Sequence, residues 1–145
     1  MRKAFWQILL AATLLGGAAG AEDRLKASSL VKVFLGANGE KVTLVFLEPI
    51  KRDRVLIKFE GVAGDWEGKV ILHKRVQDSW SDDYETVVKG ERFVSLVGRS
   101  RQGVMSYQLY PLGLRTQGIA VTYSAEESKK ALGAKIVYEF TSPAP

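Results

Sequence analysis

An eight-residue run, Asp78-Ser79-Trp80-Ser81-Asp82-Asp83-Tyr84-Glu85, contains four acidic side chains with two aromatic ones between them. Several oxygen ligands on one flexible loop suit calcium, and paired carboxylates beside aromatic rings suit sugar hydrolysis. The run lacks the spacing and central glycine of an EF-hand, and adjacent loop acids seldom have the separation that glycoside hydrolysis needs. We therefore predict a solvated turn with local backbone hydrogen bonds, no metal site and no cofactor.

The single histidine, His73, lies in the strand-like run Ile71-Leu72-His73-Lys74-Arg75, on the same alternation face as Ile71 and Arg75. A nucleophilic triad needs a base, an orienting carboxylate and an activated serine that converge, and no G-x-S-x-G motif occurs. Basic neighbours also disfavour a protonated imidazole. We interpret His73 as a structural residue at the surface or half-buried, and we predict no catalytic residues and no enzymatic activity.

The segment Gly61-Val62-Ala63-Gly64-Asp65-Trp66-Glu67-Gly68 is rich in glycine but does not resemble a phosphate loop. No helix follows it, and Asp65 and Glu67 would repel an anion. We predict that Trp66 closes one end of the hydrophobic core.

Short β-branched and aromatic runs alternate with Gly, Pro, Asn and Asp along the chain, as in an all-β protein. The pattern predicts nine strands, near 30–36, 41–48, 54–60, 69–76, 84–88, 92–98, 103–110, 118–123 and 135–141. Ser124-Ala125-Glu126-Glu127 matches a capping box and predicts a helix over 125–132 that ends at Gly133.

We expect an antiparallel β-sandwich of eight or nine short strands, with a closed barrel as the alternative. Eight strands, a helix and one last strand resemble the order of a lipocalin-like barrel, and Gly64-Asp65-Trp66 spells the G-x-W of that family. In lipocalins the motif lies at the first strand, whereas here it follows the third. The chain is therefore not assigned to that family.

The 145 residues contain no cysteine, which excludes disulfides, thiolate metal sites and an acylated-cysteine anchor. Arg2 and Lys3, the apolar stretch 5–15 and the small residues 16–21 predict a cleaved signal peptide over 1–21. We predict a flexible leader over 22–28, one β domain over 29–141 and a disordered tail over 142–145. We expect no transmembrane segment after cleavage and a periplasmic or secreted location.

Without Arg2 and Lys3, 19 basic and 16 acidic residues remain, so the net charge falls from +5 to +3. Nucleic-acid binding needs clustered phosphate contacts, which this weak surplus does not indicate. If successive strands are antiparallel, the loops near 49–53, 77–83, 99–102 and 124–134 share one end of the domain. Binding sites concentrate on loops that a rigid scaffold supports. The predicted partner-binding residues at this end are Arg52, Arg54, Trp80, Asp82, Tyr84, Arg99 and Arg101.

The resulting hypothesis is an exported, non-catalytic binding module that recognises a protein or a cell-envelope polymer. The first alternative is a carrier barrel for a small apolar ligand. Its cavity would be lined by Met105, Tyr107, Leu109, Ile136, Tyr138 and Phe140. The second alternative is a hydrolase that uses Asp82, Asp83 or Glu85, with or without calcium.

Overall fold

The structure is a computed structural model that describes residues 24–113 and 117–142. The predicted signal peptide and residues 143–145 of the predicted tail lie outside the described residues. The first strand begins at Ala27, inside the segment predicted as a leader, and Leu25 just before it packs against buried side chains.

Eight antiparallel strands follow one another around a closed barrel. Each strand pairs with the next in the sequence, and the last strand pairs with the first over Val33–Gly36 and Val121–Ser124. The strands are β1 (Ala27–Gly36), β2 (Lys41–Leu47), β3 (Arg54–Glu60), β4 (Val70–Gln77), β5 (Ser81–Val88), β6 (Glu91–Arg101), β7 (Val104–Leu109) and β8 (Ile119–Ser124).

The all-β antiparallel class is confirmed, and the arrangement is the closed barrel, the alternative expectation to a sandwich. The contact between β8 and β1 decides between the two, because it joins the two strands that would otherwise be the edges of the sheet. Eight of the nine predicted strands are observed, each within a few residues of its expected bounds.

The strand predicted over 135–141 is wrong, since Gly133–Thr141 forms a helix, α2. The alternation of Ile136, Tyr138 and Phe140 suggested a strand, but apolar residues at 136, 137 and 140 also form one face of a helix. Ile136 on that face is buried, whereas Tyr138 is 66% exposed.

The shorter helix predicted after β8 is observed as α1 (Ala125–Lys130), and it begins at the predicted cap. The Ser124 hydroxyl accepts a hydrogen bond from the Glu127 backbone N–H at 3.1 Å. Glu126 and Glu127 in the first turn and Lys129 and Lys130 in the last turn complement the helix dipole. The helix ends before Gly133, which instead begins α2.

Two hydrophobic clusters hold the domain together, one inside the barrel and one under α2. Large buried side chains of the inner cluster include Phe34, Phe46, Phe59, Tyr84 and Leu96. The predicted position of Trp66 is observed: it is 7% exposed and packs on Phe59 and Phe93 at one end of the barrel. The outer cluster places Ile136 of α2 against Val45, Leu47 and Leu56 on the outside of β2 and β3.

Candidate functional site

The antiparallel order places the turns 48–53, 78–80 and 102–103 at the end of the barrel opposite the loop that contains Trp66. This is the shared end that the alternation of loops predicts, and we call it the Trp80 end. Trp80 itself is 72% exposed in the turn between β4 and β5.

A buried polar network lies inside the barrel toward the Trp80 end, centred on Asp82, which is 1% exposed. Its Oδ1 accepts a hydrogen bond from Arg75 Nε at 2.6 Å. Its Oδ2 accepts from the hydroxyls of Tyr84 at 3.0 Å and Tyr107 at 2.7 Å. Gly98 leaves room for this arrangement, because a Cβ there would lie 2.7 Å from the Tyr107 ring.

Burial and hydrogen bonding act in opposite directions on the Asp82 carboxyl. Burial raises its pKa, but the hydrogen bonds from Arg75 and Tyr107 outweigh burial and hold the pKa below its ordinary value. For Tyr84 and Tyr107, burial and the nearby Asp82 charge both raise the pKa of the phenol. Asp82 is therefore an anion with two neutral tyrosine donors and one cationic donor.

Two cationic groups lie over the ring of Phe46 beside this network. The Arg75 Cζ atom is 5.3 Å from the ring centroid, and the Lys32 Nζ atom is 5.5 Å from it. Both distances are in the range of cation–π attraction. Lys32 projects inward from β1, on the same face as Phe34, where it pairs with Leu44 of β2.

The outer face of β6 and β7 carries a groove of about 450 Å³, here called the β6–β7 groove. It is lined by Val97, Arg99, Arg101, Ser106, Gln108 and Tyr110. The backbone of Trp80 adjoins this groove, since the Ser100 N–H donates to the Trp80 carbonyl oxygen at 2.9 Å. An exposed tryptophan therefore adjoins a groove that contains two arginines.

The two arginines of the β6–β7 groove differ in their surroundings. Arg99 forms a hydrogen-bonded ion pair with Asp83, with 2.5 Å between Nη1 and Oδ1, and this bond raises the pKa of the guanidinium. Arg101 is exposed and has no ion-pair or side-chain hydrogen-bond partner within residues 24–113 and 117–142. The groove thus contains one paired and one unpaired guanidinium.

The structure brings together Trp80, Arg99 and Arg101 of the seven predicted partner-binding residues. Asp82 and Tyr84 are buried inside the barrel, so their predicted place on an exposed surface is wrong. The reason is that β5 begins at Ser81 rather than at 84, and alternation from there turns these two side chains inward.

Arg52 and Arg54 lie at the Trp80 end but away from the β6–β7 groove. Arg52 is in the 3₁₀ turn Ile50–Arg52 between β2 and β3, and Arg54 begins β3. The Arg54 Nη2 group donates to the carbonyl oxygen of Glu48 at 2.7 Å. Because β3 and β6 are separated by two strands in either the sequence or the barrel order, these residues do not join the groove.

The side chains of the acidic run 78–85 lie in several different environments. Asp78 Oδ1 accepts from the backbone N–H groups of Trp80 and Ser81, as a turn predicts. Asp82 points inward, whereas Asp83 and Glu85 form ion pairs with Arg99 and Arg92. Within the described ranges, no three acidic or histidine side chains form a group suited to a metal ion.

His73 is 2% exposed inside the barrel, rather than at the surface or half-buried. Its Nδ1 lies 2.9 Å from the Ile71 carbonyl oxygen, which can only accept, so Nδ1 carries the proton. Its Nε2 therefore accepts from the Ser95 hydroxyl at 2.6 Å. Burial lowers the pKa of His73 to about 4, and the Trp66 and Phe59 rings pack beside the imidazole.

The sequence pattern did not indicate that Lys32, Arg75, Ser95 or Tyr107 belong to polar clusters. The alternation that places His73 and Arg75 on one strand face is the sequence signal that could have revealed the network. An arginine on an otherwise apolar strand face needs an acidic partner. Its partner is Asp82 across the β4–β5 hairpin. The contribution of Tyr107 depends on the β6–β7 pairing, which the sequence does not specify.

Comparison with known protein families, curated proteins and solved structures found no match to this chain. Neither helix of the described part has the length and apolarity needed to cross a bilayer. The structure itself shows an eight-stranded barrel with a polar network inside one end and a groove on its outer face that contains two arginines beside Trp80.

Proposed function

We propose that this protein is an exported, non-catalytic binding module that recognises a protein or cell-envelope partner through Trp80 and the β6–β7 groove. The observation that carries the proposal is the 72% exposure of Trp80 beside Arg99 and Arg101. Tryptophan and arginine are the residues that most often dominate the binding energy at protein interfaces.

The groove has the mixture of groups that a recognition surface needs. Arg101 offers an unpaired cation, whereas Ser106, Gln108 and Tyr110 offer hydroxyl and amide groups. Tyr110 donates to Gln108 Oε1 at 3.0 Å, which orients both side chains. Since Ser106 and Gln108 stand on β7, which is paired with β6, rather than on a free loop, little conformational entropy is lost when a partner binds.

The unpaired guanidinium favours a partner with an acidic group. Arg99 is already neutralised by Asp83, so an anionic group that enters the groove would meet mainly Arg101. A carboxylate or phosphate there would accept charge-assisted hydrogen bonds, which are stronger than neutral ones. Both acidic proteins and anionic envelope polymers present such groups.

The alternative of an apolar-ligand carrier has less support. A carrier needs an internal cavity, whereas the fully buried rings of Phe34, Phe46, Phe59 and Tyr84 occupy the interior. Three of the residues expected to line the cavity, at 136, 138 and 140, belong to α2 outside the barrel. The hydrolase alternative needs converging carboxylates, and Asp82, Asp83 and Glu85 have separate partners.

The test compares partner recovery by two matched triple variants of the purified protein. Trp80→Ala with Arg99→Ala and Arg101→Ala removes one exposed aromatic ring and two cations from the groove. Tyr138→Ala with Lys129→Ala and Lys130→Ala removes the same types of group from the helices. Each protein is immobilised and exposed to envelope protein and envelope polymer fractions.

We expect the wild type and the helix variant to retain the same partner and the groove variant to lose it. Equal recovery by all three proteins would contradict the proposed surface. Circular dichroism of each variant checks that the barrel is intact.

A further inference from the structure

The cations over Phe46 have donors that no acceptor of the described protein satisfies. Arg75 uses only Nε for Asp82, and its Nη1 and Nη2 atoms form no hydrogen bond with the described residues. Lys32 Nζ likewise has neither a hydrogen bond nor an ion pair there. Within the described residues, Nε of Arg54 is the fully buried side-chain nitrogen that lacks a hydrogen-bond partner. The unpaired nitrogens of Arg75 and Lys32 are therefore not fully buried, and they reach solvent.

Asp82 pairs with Arg75 and not with Lys32. One of its oxygens accepts from Arg75 and the other from two tyrosine hydroxyls, and within the described residues it forms no ion pair with Lys32. Lys32 and Arg75 therefore bring two positive charges against one carboxylate, a surplus of one positive charge. The Arg75 side chain is only 16% exposed, and partial burial strengthens its interaction with an anion relative to bulk water.

Contacts inside the barrel restrict both cationic groups. Each lies within cation–π distance of the Phe46 ring, which is 2% exposed. The hydrogen bond to Asp82 fixes the plane of the guanidinium, so the edge formed by Nη1 and Nη2 is presented as a planar pair of donors. Such a pair matches two oxygens of one carboxylate or phosphate.

We propose that Lys32 and Arg75 form a binding site for a single oxyanion group, a carboxylate or a phosphate, inside the Trp80 end of the barrel. Arg75 donates from its Nη edge, Lys32 donates from Nζ, and Asp82 with its two tyrosines holds Arg75 in place. The site is separate from the β6–β7 groove, which lies on the outer face of other strands.

The test follows the Arg75 Nε–H signal by NMR, because its hydrogen bond to Asp82 slows exchange with water. Purified protein is titrated with sodium acetate and with sodium phosphate, and sodium chloride of equal ionic strength is the reference. We expect saturable shifts of this signal with at least one oxyanion. The oxyanion that binds more tightly, acetate or phosphate, identifies the ligand group as a carboxylate or a phosphate. Shifts that match those with chloride for both oxyanions would overturn the proposal.

Two lysine variants separate a direct contact from a general charge effect. Lys32→Met retains the aliphatic stem but removes one donor, and we expect it to weaken oxyanion binding by about tenfold. Lys74→Met removes the same charge from the outer face of β4. We expect this variant to change the affinity for the oxyanion by less than about twofold. Equal weakening by the two variants would contradict a built site.

The groove triple variant makes this proposal independent of the proposed function. Trp80→Ala with Arg99→Ala and Arg101→Ala should lose the envelope partner and retain the saturable shift of the Arg75 signal. Loss of oxyanion binding in this variant, while Lys32→Met retains it, would assign the anion to the groove and overturn the interior site.

Discussion

Asp82 and Asp83 are neighbours in one strand, but they stand in opposite environments. Asp82 is 1% exposed among Arg75 and two tyrosines, whereas Asp83 faces outward with a side chain that is 15% exposed and pairs with Arg99, which is 52% exposed. A buried charge that loses its partner costs far more free energy than an exposed one. The two residues therefore provide a matched test of the interior network.

We expect Asp82→Asn to lower the free energy of unfolding by about 2–4 kcal/mol, because Arg75 loses its counter-ion inside the barrel. Asp83→Asn makes the same chemical change on the outside and should cost less than about 1 kcal/mol. Urea denaturation of both variants measures the difference. Equal losses would show that the Arg75–Asp82 pair is screened by water as fully as the surface pair.

His73 makes the stability of the barrel depend on pH. Its pKa is about 4 in the folded protein and near its ordinary value of about 6.5 in the unfolded chain. The unfolded state therefore binds more protons between these values, and the free energy of unfolding falls as the pH is lowered through this window.

Between pH 7.5 and pH 5 this difference amounts to a loss of about 2 kcal/mol. His73→Gln cannot titrate and should lack this part of the pH dependence, whatever its absolute stability. Urea midpoints of both proteins at the two pH values measure the effect. The low pKa of Asp82 acts in the same direction only at more acidic pH, so an equal slope in both proteins would contradict the burial of a neutral His73.

The apolar pattern of residues 133–141 fits both a strand and a helix, and the exposure of its side chains in α2 distinguishes the two. In a strand, Ile136 and Tyr138 would share a face and an environment, whereas in α2 the first is 6% exposed and the second 66% exposed. We expect Ile136→Ala to cost about 2–3 kcal/mol, because it leaves a cavity against β2 and β3. Tyr138→Ala should cost less than about 0.5 kcal/mol, and similar costs in urea denaturation would contradict the helix.

The sequence predicted elements well where a single local signal was present. Alternation located β3 at its observed bounds, and the cap at Ser124 located the start of α1. The prediction was wrong where two periods fit the same residues, as in α2, and where an acidic run concealed the start of β5. Charge suggested that Asp82 was exposed, but its burial depends on Arg75 from β4 and Tyr107 from β7, and that pairing is not a local property.

Closure is the feature of the whole molecule that the sequence did not determine. It depends on the pairing of β1 with β8, whose residues are nearly ninety positions apart, and this pairing also leaves no exposed sheet edge among the eight strands. With closure, alternate residues of every strand face one interior. The polar network and the inward cations over Phe46 are consequences of that geometry.

The seams of the barrel differ in length, and this predicts where it opens first. β7 pairs with β8 only over Tyr107–Leu109 and Ile119–Val121, whereas β2 pairs with β3 from Lys41–Phe46 to Val55–Glu60. Fewer ladder hydrogen bonds protect the shorter seam, and local openings draw on the least stable contacts.

Native-state hydrogen exchange should therefore show lower opening free energies for the hydrogen-bonded amides of the β7–β8 seam than for those of β2 and β3. Opening there would separate β8 from β7, while β7 stays paired with β6 and Tyr107 keeps its hydrogen bond to Asp82. Tyr107→Phe removes one hydrogen bond to Asp82, so it should change the exchange of Asp82-bonded groups more than the exchange within β2. Uniform protection around the barrel would mean that it opens only by global unfolding.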